Sequence, residues 1–352
     1  MERHRNLLII LTVVSLSLFL LLCSALYLYF RRRCAIRSRR SCEDSMEGKS
    51  FELVKVEAEE LIVFPGCEHL STKDILDAPG EVVGKSSYGT LYRATIRISD
   101  AGVMLLRFIH PTCSRRTRDV LTAIRLIGLM RHPNLVPLRA LYVGLRGEKL
   151  FIYPYYAAGN LAQFLKEISA AGSSETKRWR IIYEISLGIA RGLDHLHNSL
   201  QKPIIHGNLK SKNVLLGADL QPHLSDFGLH LFLSPSAAQE ILEASAIQGY
   251  RAPELIKMKE ANTKTDIYSF GIVLLELITL KDAPSCRLLV FDSKIYDTLS
   301  SEVVDNGGMD QNWSTEALLR CYQLAISCCS PSPALRPDIK LVIRKLEEIG
   351  CS

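Results

Sequence analysis

Outside its first 40 residues the sequence has almost no excess of charge. Those residues hold eight arginines and one glutamate, a charge of +7, so the rest of the chain carries about −1 of the total +6. That balance leaves no basic face for nucleic acid, and no nucleic-acid partner is expected. The ten cysteines form no Cys-x-x-Cys pair and no Cys/His pattern, which excludes a structural zinc site. No internal repeat is present, so a solenoid is excluded too. The stretch "GEVVGKSSYG" has three residues between Gly80 and Gly84 where a phosphate-binding P-loop needs four. With 47% hydrophobic residues in 352, disorder throughout is also ruled out, and a sizeable core is within reach.

One long uncharged run exists. Leu7 to Phe30, "LLIILTVVSLSLFLLLCSALYLYF", holds 24 residues without a charge, about 36 Å of helix and enough for a tilted bilayer crossing. A cleaved signal has a shorter apolar core of about 7 to 15 residues and small residues at its cut. Here Tyr27, Tyr29 and Phe30 run straight into "RRRCAIRSRR", an aromatic belt followed by a stop. Six arginines follow the run and two precede it, which places the C-terminal body in the cytosol. The expectation is a single-pass protein, at the plasma membrane, with residues 1–6 outside and no room there for an extracellular ligand. Cytosolic cysteines should be reduced thiols. Cys34 and Cys42 lie beside the bilayer, open either to S-palmitoylation or to no modification.

Residues 31–74 mix Arg, Ser, Glu and Lys without periodicity and read as a basic juxtamembrane linker. From "VVGKSSYGTLYRATI" through "GVMLLRFIH" the composition predicts antiparallel strands joined at "SDAG", then a helix over 116–130, then strands in "NLVPLRALYVG" and "EKLFIYPYY". Ile182, Ile185, Ile189, Leu193 and Leu196 fall on one face of a long helix. A second long helix covers "DIYSFGIVLLELITL"; it is too short to span a bilayer and reads as buried core.

Read from Gly84, "GKSSYGTL" fits the kinase glycine loop G-x-G-x-x-G-x-V, with Ser86 for the middle glycine, Gly89 for the last and Leu91 for the valine. Downstream, in order, come "RHPNLVPL", "HGNLKSKN", "DFG", "APE", "DIYSFG" and "RPD". From about residue 60 to 349 the chain resembles the cytoplasmic domain of plant receptor-like kinases, particularly the leucine-rich-repeat type. The resemblance implies an α+β, bilobal protein-kinase-like fold after one transmembrane helix. The kinase-like domain is expected over 75–350, with a small β-rich N-lobe at about 75–153 and a large helical C-lobe at about 157–350.

Phosphoryl transfer needs a strand lysine paired with a helix glutamate, two metal ligands and an aspartate that takes the substrate proton. On the resemblance, Arg107 stands at the lysine, Ala123 at the glutamate and Asn208 at the aspartate. A carboxamide offers no basic charge, and arginine is a planar fork, not a point charge. Asp119, one turn before Ala123, is the only nearby carboxylate and has a shorter reach. Gly207 removes the arginine that grips a phosphorylated activation loop in many kinases. Lys210, Asn213 and Asp226 are kept at the catalytic-loop lysine and metal-ligand positions.

The candidate nucleotide site is therefore Gly84, Gly89, Arg107, Lys210, Asn213 and Asp226, with Asn213 and Asp226 as vestigial metal ligands and no competent catalytic residue. No cofactor is required; weakly held ATP with magnesium stays open. Leu91 and Leu105 replace the valine and alanine that cover adenine in the family, and are expected to fill that slot above Leu215. His206, Phe227, Glu254, Arg336 and Asp266 match structural positions of the fold. Ser234, Ser236 and Ser245 are expected in an exposed loop, as acceptors for another kinase or as plain surface serines. The expected function is an inactive membrane-anchored receptor-like kinase serving a receptor-kinase co-receptor as scaffold or allosteric partner; the alternative is a weak, atypical Ser/Thr kinase.

Overall fold

The computed structural model describes residues 59–96, 102–171, 175–256, 260–290 and 309–351. The expected membrane span, Cys34, Cys42 and the first three residues of the "SDAG" turn lie outside them. Among the described residues no helix is long and apolar enough to cross a membrane.

The N-terminal lobe is a six-stranded antiparallel sheet in the order β1-β5-β6-β4-β3-β2. Its strands are β1 (Glu60–Val63), β2 (Gly80–Ser86), β3 (Gly89–Thr95), β4 (Val103–Ile109), β5 (Ala140–Val143) and β6 (Lys149–Pro154). Helix α1 (Thr72–Leu76) begins with a Ser71/Asp74 capping box, and α2 (Thr117–Leu129) packs Val120, Ile124 and Ile127 into the core. The sheet starts inside the segment read as linker. Strand β1 pairs with β5 from Glu60↔Val143 to Val63↔Ala140, and Phe64 behind it is buried. Four residues are too few to show a period, so this edge strand left no mark in the pattern. The expected strand over "NLVPLR" is irregular, and only Ala140–Val143 joins the sheet.

The C-terminal lobe is helical: α3 (Leu161–Ala171), α4 (Glu175–Asn198), α5 (Pro235–Ile247), α6 (Thr263–Thr279), α7 (Ala283–Leu289), α8 (Met309–Cys328) and α9 (Ile339–Cys351), with a small hairpin of β7 (Val214–Leu216) and β8 (Pro222–Leu224). The five apolar positions read on α4 are all at most 3% exposed, so the periodic stripe is the buried face. Thirteen residues of α6 are buried, which is why its sequence is apolar all round. Asn262 caps that helix and Asp266 lies in its first turn. This buried rod is the frame from which the loop after β6 and α4 is hung.

Cys67 and Cys113 are half-buried free thiols, and Cys286, Cys321, Cys328 and Cys329 are buried free thiols. Burial pushes the Cys321 thiol up to about 12, so it serves as core filler and not as a nucleophile.

Candidate nucleotide cleft

Strand pairing puts three of the predicted residues on one face. Leu91 lies directly opposite Arg107, and Leu105 stands two residues before Arg107 on β4; opposed and alternate residues share a side of a sheet. Leu91 and Leu105 are half-buried there. Gly84 sits where the β2–β3 register shifts, opposite Leu91. Gly89 is required: a Cβ at this position would stand 2.0 Å from the Phe108 carbonyl oxygen. Ser86 Oγ donates to the Gly89 carbonyl at 3.0 Å and closes the hairpin, whose tip carries Tyr88 inward against the main core.

Arg107 is anchored from two sides. Its NH2 donates to Asp226 Oδ2 at 2.8 Å and its NH1 to the Tyr88 hydroxyl at 3.4 Å. The two charged side chains are 13% and 8% exposed. Burial pulls the guanidinium down, but the Asp226 carboxylate, with Tyr88 and Tyr153 nearby, more than restores it, and its affinity for the proton is raised. Asp226 holds a left-handed backbone, φ 61°, and Gly228 follows at φ 66°. On α2, Ala123 is half-buried; Asp119 is exposed and its carboxylate lies 3.6 Å from the neighbouring Arg118. The helix therefore supplies no partner to Arg107.

The loop from His206 to Asn213 hangs from Asp266. Its carboxylate accepts from the His206 and Gly207 backbone N–H groups at 2.8 and 2.9 Å and meets His197 Nε2 at 2.9 Å. Burial alone would push this carboxyl up; the bond to His197 and its other neighbours leave it below its ordinary value. His206 is fully buried, edge-on to Phe227 at 6.5 Å, and burial pushes its ring down to the neutral form. Asn208 is buried; its carboxamide oxygen has no hydrogen-bond partner, and its backbone carbonyl accepts from Asn213 Nδ2 at 2.8 Å. Lys210 Nζ donates to Gln248 Oε1 at 3.2 Å, and burial lowers the pKa of its ammonium. Asp226 is thus engaged through Oδ2 by Arg107, and Asn213 through its Nδ2 by the loop backbone.

The structural positions are in place. Arg336 forks onto Glu254 with bonds of 2.6 and 2.7 Å, its side chain fully buried, and its guanidinium sits 5.0 Å from the Tyr268 ring centre.

The three serines are a correction. They belong to a helix, not to an exposed loop: Ser234 caps α5 through Ala237 N–H, Pro235 takes the first helical position, and Ser245 is buried. Pro after a Ser cap, followed by "SAAQEILEASAI", is a helix-start pattern that was present in the sequence.

Sequence reasoning missed Tyr88, whose role depends on the hairpin's fold. It also missed the buried cluster in which Tyr250 Oη donates to both Glu276 oxygens at 2.9 Å, with Ser211 Oγ at 3.3 Å from Oε1. Among the described residues no three His, Cys, Asp or Glu side chains gather as a metal site.

The model of the protein tyrosine and serine/threonine kinase family matches residues 78–346. The chain belongs to that family. It is homologous to Arabidopsis receptor-like kinases: it is 37% identical over 334 residues to the Arabidopsis thaliana kinase-like protein TMKL1, covering 90% of this chain and 48% of the relative. Others in the same plant, at 30 to 37% identity, bear the name probable inactive receptor kinase. The chain spans about half the length, or less, of these curated relatives. The kinase domain of maize SIRK1, a sucrose-induced receptor kinase bound to AMP-PNP, superposes with a TM-score of 0.66 at 27% identity, over 83% of this chain and all of that one. The pseudokinase domain of BIR2, an immune regulator of the RLK/Pelle family, gives 0.59 at 26%, over 76% and 80%.

Proposed function

We propose that this chain is a membrane-anchored, catalytically silent receptor-like kinase that acts as a scaffold or allosteric partner of an active receptor kinase. The observation that carries this is the Arg107–Asp226 ion pair. A kinase needs the Asp226 carboxylate free for magnesium and the strand cation free for phosphate; here each neutralises the other. The residues as arranged do not fit a magnesium ion, because Asp226 Oδ2 accepts from a guanidinium whose positive charge repels a second cation. Asn208 adds a second loss, since a carboxamide cannot take the substrate proton, a contribution of about 10² to 10⁴ in rate. Leu91 and Leu105 on the cleft face add bulk where a purine would lie. What is kept is shape: the Asp266 anchor and the Glu254–Arg336 pair.

The retained Lys210, Asn213 and Asp226 favour the second reading, a slow kinase working by positioning alone. Incubation of the purified protein with radiolabelled ATP and a generic substrate decides between them. No transfer is expected, and little should appear even in Asn208→Asp/Ala123→Glu/Arg107→Lys, because the leucines remain. Transfer by the unmodified protein that Asp226→Ala abolishes would sink the scaffold-only reading.

A further inference from the structure

Two helices at the rim of one opening carry opposite charge. Helix α2 supplies Thr122 and Leu126 to that opening, and α5 supplies Ala238 and Gln239. Beside it each helix turns an exposed stripe to solvent. On α2 the stripe is Arg118, Thr122, Arg125 and Leu129, and on α5 it is Ser236, Glu240, Glu243 and Ile247, all exposed. Both step by four, three and four residues, the spacing of one helix face.

The charges are not spent within the chain. Among the described residues no ion pair involves Arg125, Glu240 or Glu243. Arg118 meets only Asp119, at 3.6 Å, and Glu243 accepts from the neutral Gln239 at 3.3 Å. Each stripe ends in an apolar residue open to water, Leu129 at 62% and Ile247 at 84% exposed. Opposite charges on two faces, each beside bare apolar surface, are the elements of a complementary contact.

The complement lies in the molecule itself. A two-fold axis at the opening lays α2 of one copy on α5 of a second and, by the same rotation, α5 on α2. Because the stripes share one spacing, Arg125 meets a glutamate whichever way the paired helices run. An axis through either helix alone would set like charges together, which is repulsive. We infer that a second copy of this chain docks here, Arg118 and Arg125 of each copy facing Glu240 and Glu243 of the other. Such an isologous contact closes at two copies. It uses no residue of the nucleotide cleft and is independent of the state of that site.

The test is sedimentation velocity of the full-length chain in dodecyl maltoside micelles, at low salt and at about 0.5 M, where exposed charges are screened. A dimer is expected at micromolar concentration in low salt, and weaker association in high salt. Arg118→Glu/Arg125→Glu and, separately, Glu240→Arg/Glu243→Arg should each weaken it at least about tenfold, because like charges then face each other. Mixing the two swapped chains, or placing all four changes in one chain, should restore it. An unmodified chain that stays monomeric would overturn the assignment and leave the stripes to a different partner. A dimer indifferent to both swaps, as one held by the apolar run 7–30 would be, or swaps that the mixture fails to rescue, would overturn it too. If a swapped chain fails to fold, Thr122→Trp or Ala244→Trp blocks the same face by bulk, and a dimer unchanged in both contradicts the assignment.

Discussion

The guanidinium of Arg107 donates to the Asp226 carboxylate at 2.8 Å across 119 residues of sequence. In this fold the strand cation is expected to meet a helix carboxylate, but α2 offers Ala123, and the charge turns to the nearest other anion. One substitution on α2 thus explains where another, on β4, finds its partner. The Tyr88 hydroxyl, brought in by the hairpin that Gly89 permits, completes the closure from above.

If the pair is structural, breaking half of it should cost more than removing all of it. Arg107→Met leaves a buried carboxylate without compensation and should lower stability by about 3 kcal/mol, whereas Arg107→Met with Asp226→Leu should recover much of that loss. Urea unfolding of the two variants beside the unmodified chain measures it. Equal losses in both would mean the pair contributes nothing beyond its parts.

Burial raises the Glu276 carboxyl to about 7 from an ordinary 4.5, although Tyr250 and Ser211 donate to it and hold it down in part. Between those values the unfolded chain has released this proton and the folded chain keeps it, so stability falls as pH rises. At 1.4 kcal/mol per unit the loss is about 3 kcal/mol, complete above pH 7. Glu276→Gln lacks this dependence. Its stability relative to the unmodified protein should therefore rise by about 3 kcal/mol from pH 4.5 to 8, while the buried histidines, which act in the opposite sense, cancel in the comparison. A difference that does not change with pH would mean the carboxyl titrates normally.

Ser245 is buried on α5 whereas Ser236 is exposed in its first turn. A charge at Ser245 must be desolvated, but one at Ser236 lies near a helix N-terminus that favours it. Ser245→Asp should lower the melting temperature by several degrees and Ser236→Asp should leave it nearly unchanged. Thermal unfolding followed by circular dichroism distinguishes them.

Much of the architecture was legible because it rests on long patterns. The stripe from Ile182 to Leu196 and the uniform apolarity after Asp266 each persist over several turns, and both proved to be buried helices. The motif residues His206, Phe227, Glu254, Asp266 and Arg336 were legible for another reason: the resemblance gives each a structural position in the fold. What stayed hidden was decided in three dimensions. Nothing in the sequence near Arg107 names Asp226, nothing near Tyr88 says that its hydroxyl turns inward, and a four-residue edge strand such as β1 is specified by Leu141 and Tyr142 opposite it, not by itself. The α5 helix was legible in its Ser-Pro start and was missed because kinase activation segments are expected to be loops.

The most direct test of a self-closed nucleotide site is a calorimetric titration of the full-length chain with Mg-ATP, alongside Arg107→Ala/Leu105→Ala. The unmodified protein should show no binding at micromolar concentrations, and the opened variant should show more than the unmodified one. Micromolar Mg-ATP binding by the unmodified chain, lost in Asp226→Ala, would contradict the closed site.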